Sequence, residues 1–205
     1  MSLVYYYSPM SSAVRVTWAI DELSVPCERV LVDFRKGETK VPEFLKLNPN
    51  GKVPLLVVDG HPIFESLAII VHLGETYGVA KGLYPAPGLE RAEGLKWIAW
   101  GSASLLEPIQ RHVLNTSDRI PAEQRNAKAG EVAQADLEKM LTLLDDALSG
   151  RSYLVGDHFT LADLAVCGFL PYLRFLQYDF SRHANVKAWS ERCLSRPAAQ
   201  KAHQM

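Results

Sequence analysis

The sequence lacks most features that mark membrane, secreted, nucleic-acid-binding or metal-dependent proteins. It has no run of Lys or Arg, and 22 basic against 23 acidic residues leave a formal net charge of −1. That balance argues against nucleic acid or an anionic membrane as the main partner. The longest apolar stretch, near Leu161 to Leu170, is interrupted by Asp163 and is too short to span a bilayer. Met1 to Val4 lead straight into β-prone residues with no basic segment or cleavage site, so no leader is expected. There are only 3 cysteines, Cys27, Cys167 and Cys193, without CxxC spacing. An odd, scattered set reads as reduced and mostly buried thiols of a cytoplasmic protein, not as a disulfide framework. GxGxxG, P-loop and HExxH motifs are missing, and the 6 histidines form no ligand set, so no metal is expected. Internal repeats and low-complexity tracts are lacking too.

What is present is apolar patterning. With 48% hydrophobic residues in 205, the chain can bury one large core or two small ones. Leu3 to Tyr7 is β-prone and stops at Ser8-Pro9. Ser11-Ser12 then precede a helix whose Val16, Ala19, Ile20 and Leu23 share one face. Pro26 ends it, and Cys27 to Val32 reads as a second strand, parallel to the first through a right-handed crossover. Pro42 to Leu47 looks like one or two helical turns. Leu55 to Val58 and His61 to Phe64 flank Asp59-Gly60, a two-residue hairpin signal. Glu65-Ser66 opens a segment with Leu67, Ile70, Leu73 and Tyr77 at helical spacing.

Gly82, Pro85 and Pro87 punctuate residues 81–87, and strand-type patterning ends there. From 88 to 205 the pattern is helical, with a break expected near Asn115 to Pro121. Leu137, Met140, Leu141, Leu144 and Leu148 form an apolar stripe, and Gly150 stands where a helix cap belongs. Thr160-Leu-Ala-Asp163 has the form of a capping box, with Phe159 and Leu164 placed as its hydrophobic staple. Pro171 and Pro197 are read as kinks or ends, and Val186, Trp189 and Cys193 as the face of a last helix. The expected fold is α+β in two domains. Residues 1–80 form a βαβ-α-ββα unit with a mixed sheet, 81–87 link it, and 88–205 form an all-α domain.

Asn48-Pro-Asn-Gly-Lys-Val-Pro54, followed by Glu65-Ser66-Leu-Ala-Ile69, resembles the glutathione site of the soluble glutathione transferases. Each piece alone is common; the ordered set is specific, and the resemblance covers nearly the whole chain. It implies a thioredoxin-like first domain without redox cysteines and a cis bond before Pro54. It also implies that Val53 pairs its backbone with the cysteinyl part of glutathione, and that Glu65 and Ser66 hold the γ-glutamyl end. The helical domain would line a hydrophobic substrate site, and the protein would be a cytoplasmic homodimer. Lys52 is a candidate for the glycyl end, and Thr39 or Lys40 for the place of a histidine there. Thr39 follows Gly37-Glu38 where theta-like members often carry a histidine, and Leu67 stands where delta-like members carry an arginine.

The chemistry needs a thiolate. A thiol with a pKa near about 8.5 is only slightly ionised at neutral pH, so a transferase must stabilise the anion with a donor or a positive field. A hydroxyl at a helix N-terminus supplies both. Ser11 and Ser12 precede Arg15 at the right place, and the serine-type classes, by resemblance, select Ser11. Ser12, which aligns with the cysteine of the beta class, and Tyr7, at the end of the first strand, are the fallbacks. Arg15 is read as a support. Taken alone, Ser11 or Ser12 would be an ordinary helix cap and Glu65-Ser66 an ordinary helix start. The implied function is conjugation of glutathione to small hydrophobic electrophiles. Alternatives on the same frame are glutathione-dependent isomerisation, dehalogenation or disulfide reduction, and a non-catalytic binding or regulatory role.

Overall fold

A computed structural model of the chain describes residues 1–9, 11–175 and 178–204. The chain divides into two compact units, one made of 1–86 with 195–205 and the other of 87–194.

The first unit contains β1 (Leu3–Tyr7), α1 (Ala13–Glu22), β2 (Glu28–Leu31), α2 (Pro42–Leu47), β3 (Leu55–Val58), β4 (His61–Phe64) and α3 (Ser66–Leu73). Its four strands lie in the order β2-β1-β3-β4. β1 runs parallel to β2 and antiparallel to β3, and β3 is antiparallel to β4. This is the mixed, thioredoxin-like sheet expected of a βαβ unit followed by a hairpin. The hairpin turn has φ of 48° at Asp59 and 83° at Gly60, the doubly left-handed geometry that matches strand twist.

α1 is buried almost all round. Val16, Ala19, Ile20 and Leu23 are inside as the spacing predicts, and so are Arg15, Thr17 and Trp18. The second buried face arises because α1 packs against α3 and also against the terminal helix α10 (Pro197–His203). Pro197 was expected to mark a kink or an end; it opens α10 instead. A proline at the first helical position gives up an N–H that would have no intrahelical acceptor. α10 is fastened to α1 by Arg196 Nε–H donating to Glu22 at 3.1 Å, Lys201 to Asp21 at 3.2 Å, and an edge-on Trp18–His203 contact at 6.1 Å.

In α3 the buried positions are Ser66, Ile69, Ile70 and Leu73. Leu67 and Tyr77, placed on the inner face by spacing, are half-buried. The α-helical repeat ends at Leu73, and Gly74–Gly78 continues as a wider π turn, which carries Tyr77 out of the 3.6-residue register.

The second unit contains α4 (Leu89–Trp100), α5 (Leu106–Thr116), α6 (Ala127–Ala147), α7 (Leu161–Cys167), α8 (Leu170–Phe175) and α9 (Ala184–Leu194). α5 packs on α6, α4 on α7, and α9 on both α6 and α7. In the stripe read on α6, Leu137, Leu141, Leu144 and Leu148 are buried, whereas Met140 is half-buried. The chain breaks after Thr116, where expected. A capping box forms at Thr160 and Asp163. Asp163 is fully buried, and its carboxylate receives four donors. Leu154 N–H and Trp189 Nε1–H reach Oδ1 at 2.9 Å, and Thr160 N–H and Oγ1–H reach Oδ2 at 2.9 and 3.0 Å. Burial pushes the carboxyl above its ordinary range, and the donors work against that shift.

Candidate active site

The strand register gathers the sequence motifs at one edge of the sheet. Tyr7 is opposite Leu31, Tyr6 opposite Leu55, and Leu55 opposite Phe64. Parallel β1 and β2 therefore end at this edge, antiparallel β3 begins there, and β4 ends there. Residues 8–9, 11–12, 32–40, 53–54 and 65–66 all leave or enter the sheet on that side.

The first of these segments starts α1. Ser11 Oγ–H donates to the Ser8 carbonyl at 2.7 Å, and its oxygen accepts from Ala13 N–H at 3.2 Å. Ser12, at the cap position, makes no capping bond with its side chain. Both hydroxyls are half-buried and lie where the helix presents partial positive charge. Tyr7 is half-buried and stacks on Tyr5 at 5.6 Å. Tyr5 itself donates to Ala13 O at 2.7 Å, so the alternating pleat puts both rings on the α1 side of the sheet. The Tyr5 hydroxyl is pushed far up by burial, which keeps it neutral.

The second cluster is the turn before β3. Asn48 is buried, donates from Nδ2 to the Lys52 carbonyl at 2.7 Å, and accepts from Asn50 N–H at 3.1 Å. Gly51 has φ of 58°, and a Cβ there would meet Thr39 O at 2.9 Å and Lys40 Nζ at 2.6 Å. Only glycine fits this close approach. Lys40 Nζ donates to Gly51 O at 3.0 Å, which ties residues 37–40 to this turn. The peptide bond between Val53 and Pro54 is cis, as the resemblance implies. Val53 and Pro54 are buried, Lys52 is exposed, and the Thr39 side chain is enclosed at 2% exposure.

The third cluster opens α3. Glu65 has φ of 70° and ψ of 117°, a conformation that costs a non-glycine residue roughly 1–3 kcal/mol. Its side chain is exposed and makes no capping bond. Ser66 is buried, and its Oγ accepts from Arg15 Nη2 at 2.7 Å. That bond joins α1 to α3 through two side chains 51 positions apart in sequence. The sequence marks Arg15 as a support but offers no signal for this partner. Among the described residues, no group of three or more His, Cys, Asp or Glu is placed to hold a metal ion.

Comparison with known proteins agrees with this geometry. The N-terminal domain model of glutathione S-transferase matches residues 1–75, and the C-terminal domain model of the same family matches residues 105–197. The chain is 30% identical over 189 residues to glutathione S-transferase GstB of Escherichia coli strain K12, covering 91% of this chain and 90% of that protein. Its structure resembles glutathione transferase URE2P8 from Phanerochaete chrysosporium, solved with oxidised glutathione. The TM-score is 0.88 at 27% identity, over 99% of this chain and 94% of that one. A glutathione transferase homologue from Lodderomyces elongisporus, solved with two glutathione molecules per subunit, aligns with a TM-score of 0.89 at 25% identity, over 100% and 98% of the two chains. From its paired domain models, its sequence kinship and its fold, the chain belongs to the glutathione S-transferase family.

Proposed function

We propose that the sheet-edge site binds glutathione and that the protein conjugates its thiolate to small hydrophobic electrophiles. The observation that carries this reading is Glu65, an exposed carboxylate on a left-handed backbone directly before the buried hydroxyl of Ser66. A glutamyl end offers an ammonium and a carboxylate side by side. Glu65 pairs with the ammonium, and the Ser66 hydroxyl and the N–H groups of the first turn of α3 donate to the carboxylate. The backbone of Val53 pairs with the cysteinyl residue, and exposed Lys52 is the side chain toward the glycyl end, where the enclosed Thr39 offers only its backbone.

The sulfur then falls at the start of α1. Ser11 donates its hydroxyl proton to the sulfur once it turns away from the Ser8 carbonyl, and the helix field adds positive potential. Both lower the thiol pKa and raise the thiolate fraction available for attack. The electrophile loses its leaving group as the new carbon–sulfur bond forms, and the bound geometry replaces a random encounter. Ser12 and Tyr7 are the second choices for the donor. A cytoplasmic homodimer is the setting we infer, and no described helix is long and apolar enough to cross a membrane.

The test is a pair of variants assayed with a generic aromatic halide. Ser11→Ala is expected to keep glutathione binding and lose most of kcat, and Ser12→Ala to keep both. The reverse pattern transfers the role to Ser12. Glutathione binding without turnover in the wild type supports a non-catalytic role instead.

A second reading is supported by the ligands of the relatives, oxidised glutathione in one and two glutathione molecules per subunit in another. In it, the bound thiolate attacks one sulfur of a glutathione mixed disulfide. Oxidised glutathione forms and the other sulfur leaves as a thiolate. Turnover of a mixed disulfide without conjugation of the halide selects this reading.

A further inference from the structure

We propose that Arg15 is a positioning residue for the glutathione γ-glutamyl carboxylate, acting through Ser66. The inference rests on the reading of Ser66 as that carboxylate's anchor.

Arg15 is 2% exposed and Ser66 is 6% exposed, so the 2.7 Å bond between Nη2 and Oγ lies where water screens little. A serine hydroxyl has one proton and two lone pairs. The guanidinium is always charged and only donates, so the bond consumes a lone pair of Ser66 and leaves its proton for another acceptor. A hydroxyl that receives a charged donor is polarised into a stronger donor itself. Arg15 thus fixes the rotamer of Ser66, commits its proton outward, and puts a buried positive charge one hydroxyl behind the position of an incoming carboxylate. Because the two residues belong to α1 and α3, the same bond holds the start of α3 against the helix that Ser11 precedes. A neutral ligand group at that position gains little from this arrangement, whereas a carboxylate gains the polarised donor and the charge.

The consequence is a ligand preference that a purely structural arginine would not produce. The probes are glutathione and a glutathione analogue whose γ-glutamyl carboxylate is a carboxamide, each titrated calorimetrically into the full-length protein. Wild type is expected to prefer glutathione by about 10- to 100-fold, the range of one hydrogen bond to a charged group. Arg15→Gln is expected to lose most of that preference by weakening glutathione alone, with the carboxamide bound as before. The Arg15→Gln/Ser66→Ala double variant is expected to discriminate no less than Ser66→Ala alone, since one route serves both residues.

Equal weakening of both ligands in Arg15→Gln, or an undiminished preference, overturns the proposal. Should Arg15→Gln fail to fold, Arg15→Lys carries the test. It keeps a cation but loses the planar reach to Ser66, so a smaller fall in preference is expected, and a wild-type preference overturns the proposal. Ser66→Ala alone separates the two levels. If it leaves glutathione affinity unchanged, the anchor reading fails; if it weakens binding while Arg15→Gln keeps the preference, only the role of Arg15 fails.

Discussion

Asp163 at the start of α7 and Glu65 at the start of α3 are both carboxylates beside a helix N-terminus, in different units of the chain. Asp163 is enclosed, with four donors from its own chain on its two oxygens. Glu65 is exposed, sits on a left-handed backbone, and makes no capping bond. The electrostatics of the helix end are alike in the two places; the filling of the acceptor capacity is not. A carboxylate saturated from within can only hold the fold together. One held outward by a costly backbone conformation is available to a ligand, and the cost is carried by the surrounding structure.

The largest loss is expected at Asp163. Asp163→Ala leaves three buried N–H donors, of Leu154, Thr160 and Trp189, without their acceptor. Leaving even one such donor unsatisfied costs about 1–3 kcal/mol, so a loss of about 3 kcal/mol or more is expected in denaturant unfolding. A loss under about 1 kcal/mol would show that water replaces the carboxylate and that the cluster is not closed.

Glu65→Gln reverses the pattern. Stability is expected to stay within about 0.5 kcal/mol of wild type, as for an exposed side chain. Glutathione affinity is expected to fall about tenfold or more, the size of a lost charge-assisted bond. Calorimetry beside a thermal melt reads both, and unchanged affinity would remove Glu65 from the site. Glu65→Gly against Glu65→Ala isolates the backbone contribution. The glycine variant is expected to be more stable by roughly 1 kcal/mol, because only glycine relaxes at that φ; equal stability would mean that the conformation stores no strain.

The smallest effect is expected at Glu138 on α6. Burial pushes its carboxyl up, but bonds from Tyr178 and from His183, the latter at 3.1 Å, and the charges of His183 and Arg182 outweigh it and hold the carboxyl below its ordinary range. A folded pKa below the unfolded one contributes stability that is present above the unfolded value and lost as pH falls through the folded value. Glu138→Gln is expected to flatten the stability profile at acid pH, below the ordinary carboxylate pKa, and to leave glutathione binding unchanged. A profile identical to wild type would show that the pair is screened by solvent.

The sheet unit was legible because its signals are local. Asp59-Gly60 dictates a hairpin, the stripe on α1 dictates a buried helix, and a strand–helix–strand start dictates parallel pairing. The capping box at Thr160 and Asp163 could be read for the same reason, since both partners lie within one helical turn. Less legible were features set by distant partners. The bond between Arg15 and Ser66 joins side chains 51 positions apart, and no periodicity announces it. The return of α10 to α1 depends on Glu22 meeting Arg196 and Asp21 meeting Lys201, pairs 174 and 180 positions apart that no local pattern marks. The π turn after Leu73 shifted Tyr77 because spacing arguments assume an unbroken α-helix. The candidate site follows the same division: its motifs are local and could be found, whereas the contacts that orient them are not.

In the proposed function, the start of α1 makes the glutathione sulfur anionic. Its most direct test is an ultraviolet pH titration of the thiolate of bound glutathione, in wild type and in Ser11→Ala. A wild-type pKa well below the ordinary thiol value of about 8.5, returning toward it in Ser11→Ala with glutathione still bound, is the predicted result. A bound thiol that titrates like free glutathione in the wild type would contradict the account.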